Sequence, residues 1–74
     1  MYAASVEPGR VTLVLSIDEV RLLNNALNDV VNGVDVPAEA FAARLGGTRD
    51  EVAHLLMSIH AVLDSAEVVQ HTPR

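Results

Sequence analysis

The sequence predicts a mainly α fold. It reads as a three-helix domain with a helix-turn-helix-like second and third helix pair, preceded by a short N-terminal strand. Three observations predict it. Apolar residues recur at helical spacing in two long stretches. Two Ser/Thr-x-x-Glu boxes stand where helices should begin. Glycines and prolines fall between the stretches, not inside them.

Residues 1–9 read as a flexible N-terminal arm that ends on the turn signal Pro8-Gly9. Residues 10–70 form one small domain. It opens on Arg10-Val11-Thr12-Leu13-Val14-Leu15, which is β-branched, apolar and short enough for a strand. Ser16-Ile17-Asp18-Glu19 is a capping box: Ser16 would accept from free N–H groups and Glu19 would reach back. The first helix then runs over Ile17–Asn32, with Val20, Leu23, Ala26-Leu27 and Val30-Val31 as the buried stripe. Gly33 is expected to end it in a left-handed conformation.

Asp35-Val36-Pro37 opens the second helix, Pro37–Leu45, with Asp35 as the cap and Phe41 and Leu45 facing the core. Gly46-Gly47 breaks it. Thr48-Arg49-Asp50-Glu51 is a second capping box, and the third helix carries Val52, Leu55-Leu56, Ile59, Val62-Leu63 and Ala66 as its stripe. It should fray near Ala66. Val68-Val69-Gln70 then reads either as a short C-terminal strand pairing with Val11–Leu15 or as part of a tail, and residues 71–74 are tail.

Composition narrows the function. A chain of 74 residues buries only roughly 60–65% of its unfolded surface, so self-association is an economical way to complete its core. With no Cys, disulfides, thiolate metal sites and Cys nucleophiles are excluded, which fits a cytoplasmic setting. The N-terminus has no basic region followed by a long apolar run, so no signal peptide is expected. Nor is a membrane span expected, because no stretch approaches roughly 20 uninterrupted apolar residues. Ten acids against five Arg leave a net charge of −5, which repels phosphate backbones and attracts basic partners.

No residue set reads as catalytic or metal-binding, and no cofactor is implied. His54 and His60 are six apart and cannot form the i, i+4 zinc pair; His60 and Asp64 are four apart and could touch. Gly46-Gly47 is a helix break and not a phosphate loop. Ala42, Gly46 and Val52 carry the spacing of a helix-turn-helix, where helices approach closely around a tight turn. The exposed start of its second helix offers Arg49, Asp50, Glu51 and His54, and two carboxylates there oppose DNA.

The candidate partner-binding surface is the polar side of the first helix. Four Asn fall in residues 24–32 although Asn is a poor helix former, which suggests that their amides have work to do. Asn24, Asn25 and Asn28, with Arg21, could donate and accept hydrogen bonds at a contact. Asp18, Asp29 and Asp50 could steer a basic partner. Asn28 and Asn32 also have an internal reading, satisfying a loop and capping the helix end.

Leu22-Leu23-Asn24-Asn25-Ala26-Leu27-Asn28-Asp29-Val30, then Phe41, then Arg44-Leu45-Gly46-Gly47-Thr48-Arg49-Asp50-Glu51-Val52 resembles a pattern in short bacterial proteins. Some small acidic proteins of this kind look like immunity partners of polymorphic toxins. The resemblance covers about residues 12–60 and includes no catalytic motif. It implies a protein that binds one basic toxin and blocks it. The expected function is thus a non-enzymatic protein–protein interaction module, an immunity-type inhibitor or a self-associating dimer. The alternative is a small helix-turn-helix DNA-binding regulator, dimeric through Val11–Leu15, with Arg44 and Arg49 on phosphates.

Overall fold

The computed structural model describes residues 1–33 and 35–71, with the side chains of Gln70 and His71 left aside. The order is β1 (Tyr2–Glu7), β2 (Arg10–Val14), α1 (Ile17–Gly33), α2 (Ala38–Leu45) and α3 (Arg49–His71). The fold is mainly α, with three helices and a short N-terminal two-stranded antiparallel sheet, as the sequence predicts.

Residues 1–9, expected as a loose arm, instead supply β1 and the turn of a hairpin. Val6 pairs with Val11 and Glu7 with Arg10, and the register shifts between Ala3 and Ser5 as at a bulge. Ala3–Leu13 and Val6–Val11 put apolar pairs opposite each other, which stabilises an antiparallel ladder. The partner of β2 is therefore β1. Residues 68–70, for which a C-terminal strand was one expectation, continue α3 as far as His71. No Gly or Pro interrupts residues 49–71, so nothing stops the helix there. The remaining tail, residues 72–74, lies outside the described residues.

Both capping boxes form. The Ser16 N–H donates to Glu19 Oε1 at 2.9 Å and the Glu19 N–H donates to Ser16 Oγ at 3.1 Å. The Thr48 N–H donates to Glu51 Oε1 at 2.9 Å and the Glu51 N–H donates to Thr48 Oγ1 at 3.2 Å. Each box satisfies donors that a helix start leaves bare. α2 begins differently. Its cap is Pro37 and no side chain caps it, so Asp35 does not take the expected role. Its end is well made: Gly46 takes φ +74°, and its N–H donates to the Ala42 carbonyl. Gly33, expected in that conformation at the end of α1, is instead the last helical residue; the positive-φ glycines among the described residues are Gly9 and Gly46.

α1 and α3 form the body. Arg21, near the start of α1, reaches Glu67 near the end of α3. Arg49, at the start of α3, donates to the Val31 carbonyl near the end of α1. The two helices therefore run antiparallel. Their shared seam holds Val20, Leu27 and Val31 against Val52, Leu56, Ile59 and Leu63, all buried or half-buried. α2 lies on this pair through Phe41, which is 1% exposed, whereas Leu45, expected in the core, is 48% exposed.

The molecule is thin. Its extents are 49 × 31 × 16 Å and its radius of gyration is 14.6 Å, against about 11 Å for a compact chain of this length. Val20, Phe41 and Leu63 are the buried apolar residues among those described, and of these Phe41 is fully buried.

Candidate interaction surface

Two flanks of the α1–α3 layer differ in chemistry. At about 100° per residue, Leu23 and Ala26 follow one way round α1 from the seam, with Leu22 beyond them at the outer edge. Leu55, Val62 and Val69 follow one way round α3. Because the helices are right-handed and antiparallel, both sets point to the same side of the layer. That side is apolar and open: Leu22 is 70% exposed, Val62 54% and Val69 75%. Leu23, Ala26, Leu55 and Val62, expected in the core stripes, are therefore surface residues. The apolar arc of each helix is wider than one neighbouring helix can cover.

A shallow groove of about 340 Å³ lies at one end of this face, lined by Met1, Leu15, Glu19, Leu22, Leu23 and Ala26. Its one acid is engaged. The Met1 ammonium lies 2.7 Å from Glu19 Oε2, and this contact leads the Ser16 N–H and hydroxyl in lowering the Glu19 carboxyl to a pKa of about 2. Glu51 is also lowered, by the Thr48 N–H and then the Thr48 hydroxyl. A second cavity of about 190 Å³ lies beside α2, between Val30, Val36, Phe41, Arg44 and Leu45. The Arg49 guanidinium stands 4.5 Å from the Phe41 ring centroid.

The opposite flank carries most of the residues singled out from the sequence, in different states. Asp18 is 90% exposed and accepts from Arg21 at 3.1 Å. Arg21 also reaches Glu67 at 3.4 Å, so its guanidinium braces α1 to α3. Asn25, Asp29 and Asp50 are exposed. Asn28 is exposed, but its Oδ1 accepts from Asn32 Nδ2 at 2.8 Å, which agrees with an internal role for this pair. Asn32 thus bonds a side chain one turn back, not the helix end. Asn24 stands apart: it is half-buried at the seam, and its Oδ1 is buried without a hydrogen-bond partner. Asn24 and Asn25, read together from the sequence, do not share a surface. Met57 and Val68, both more than half exposed, interrupt this flank.

Sequence reasoning missed the open apolar flank, although its signal was present in the wide stripes. The His60–Asp64 contact forms, with Nε2 and Oδ2 3.6 Å apart on the surface. Among the described residues, no three His, Cys, Asp or Glu side chains gather as metal ligands. Over residues 49–69 α3 has the length and mean hydropathy to cross a membrane, with 6% of its most apolar 18-residue window buried. Length and composition alone meet that test, and Arg49, Asp50, Glu51, His54, His60, Asp64 and Glu67 fall inside it. The chain matches no family model, no curated protein and no solved structure.

Proposed function

We propose that this chain is a non-enzymatic protein–protein interaction module. The observation that carries the reading is the uncovered apolar flank of the α1–α3 layer. A contiguous apolar surface on a small chain is a liability in water unless something covers it. The acids Asp18 and Asp29 are exposed beside Leu22 at the outer edge of that flank, and Asp50 is exposed at the start of α3. That charge supports a finer reading, in which the polar flank steers a basic protein toward the module. An immunity-type inhibitor of a basic toxin, acting in the cytoplasm, is one form it could take, and this form rests on the sequence resemblance.

DNA binding has less support. Arg49 is committed to the Val31 carbonyl and the Phe41 ring, while Asp50, Glu51 and His54 remain around it. Affinity capture of the tagged chain from host lysate, with a nuclease-treated duplicate, tests the reading. Recovery of a protein that survives nuclease is the expected result. Recovery of nucleic acid alone, lost on nuclease treatment, would overturn it.

A further inference from the structure

We infer that the open α1–α3 flank is covered by a second copy of this chain, so that two such layers close a four-helix bundle. The inference rests on the interaction-module reading and names the occupant of the surface that carries it.

Area comes first. The accessible surface is 5839 Å², against about 4,400 Å² for a folded monomer of this mass. The difference of about 1,400 Å² exceeds the roughly 800 Å² that each partner buries in a stable complex of standard size.

Spacing comes second. Leu55, Ile59, Val62, Ala66 and Val69 recur at steps of four, three, four and three. That is the period at which one helix packs along another over several turns. Ile59 and Ala66 are half-buried at the edge of the existing seam, and the other three are exposed, so α3 carries a second seam beside the first. Among the described elements, α2 is the one that packs against the α1–α3 pair, through α3, so no element of the same copy lies over the flank. A two-fold axis through the flank lays α1 and α3 on their own copies, the geometry of an isologous dimer.

Charge comes third. Two copies at −5 each repel, yet Asp50 and Asp64 lie off the flank, and Asp18 and Asp29 stand beside Leu22 at its outer edge, exposed, where the rim of a contact stays in water. Glu19, at its edge, carries the Met1 ammonium, and Glu51 is held by Thr48. Anionic lipid fits less well: the flank offers no Lys or Arg to a headgroup, and the whole chain is acidic.

The test is sedimentation equilibrium of the full chain from low to high micromolar concentration, for the native chain and three variants. Val62→Glu and Leu22→Lys place charge on the flank at sites exposed in the single copy. Met57→Glu makes a matched change on the other side. Far-UV circular dichroism reads the helices of each variant. The expected result is a native mass of twice 7.9 kDa, a dissociation constant raised on the order of 100-fold by Val62→Glu and by Leu22→Lys, and no change with Met57→Glu. A native monomer throughout would overturn the dimer, and would leave the interaction reading to stand or fall on its own capture experiment. A dimer broken by Met57→Glu and not by the flank variants would also overturn it. A third overturning result is a monomer in buffer that binds phosphatidylcholine vesicles and loses that binding with Val62→Glu. It would assign the flank to lipid.

Discussion

Arg49 stands over Phe41, its guanidinium 4.5 Å from the ring centroid, while the same guanidinium donates to the Val31 carbonyl of α1. One side chain thus ties all three helices together at the end of the molecule where α2 attaches. α2 has little else: no side chain caps its start, and Phe41 is its buried residue. The alternative DNA-binding reading needs Arg49 on phosphates, whereas the fold uses it internally.

Removing this tie should loosen α2 before it unfolds the body. Arg49→Ala is expected to cost about 1–2 kcal/mol, from a partly buried cation–π contact and a charged hydrogen bond. Phe41→Ala should cost roughly 3–5 kcal/mol, as for other buried aromatics. Urea titration gives the totals. Hydrogen exchange should show α2 amides opening in Arg49→Ala while the α1–α3 seam stays protected. Equal exposure of all three helices would mean that α2 is not a separate unit.

Glu19 makes stability depend on acid. Its pKa is about 2 in the fold against 4.5 for the ordinary side chain. A carboxyl with a lowered folded pKa stabilises fully above its unfolded pKa and loses that contribution as pH falls through the folded one. The window is therefore from about pH 4.5 down to about 2. The urea midpoint should fall across it, and in Glu19→Gln that part of the fall should vanish. A parallel decline in both proteins would place the acid sensitivity elsewhere, with Glu51 and its Thr48 donors as the next group to vary.

The features legible in the sequence were the ones governed by local rules. Ser16–Glu19 and Thr48–Glu51 obey a four-residue pattern, and both boxes form as read. β1 was missed because Ala3-Ala4-Ser5 has little strand preference and Pro8-Gly9 was taken as the end of an arm. Val68-Val69 was read as strand-like from its β-branching, but the helical register of Leu63 and Ala66 carries through it, and Arg21 holds Glu67. The candidate surface was legible only in part. Exposure of Asn25, Asp29 and Asp50 follows from helical period, but the separation of Asn24 from Asn25 depends on where α3 lies. Leu55 and Val62 looked like core because a period reports which residues are apolar together, not how many neighbours arrive to cover them.

Asn24 offers a sharp choice between structure and function. A buried carbonyl oxygen without a partner costs about 1–3 kcal/mol of desolvation. Asn24→Leu should therefore stabilise the fold by about 1 kcal/mol, visible as a raised thermal midpoint. Asn25→Ala, at an exposed site, should stay within about 0.5 kcal/mol of the native chain. A loss of stability in Asn24→Leu would show that the amide is paired within the seam.

The hairpin turn is the last place where local geometry makes a prediction. Gly9 has φ +76°, and proline holds φ near −65°. Together these are the φ values of a type II turn, whose twist splays a two-residue hairpin, whereas Asn-Gly forms the type I′ turn that matches it. The strands gain little from the rest of the chain, because both are exposed along their whole length. A lone two-stranded hairpin is marginal in water. Pro8→Asn should thus slow hydrogen exchange at the Glu7 and Arg10 amides, the hydrogen-bonded pair that flanks the turn, by an amount equal to several tenths of a kcal/mol. Gly9→Ala should speed it, at about 1 kcal/mol for a left-handed residue with a Cβ. If Pro8→Asn leaves exchange unchanged, the turn does not limit the hairpin. Its stability would then come from whatever covers the apolar pairs Ala3–Leu13 and Val6–Val11, and protection should rise with protein concentration if that cover is a second copy.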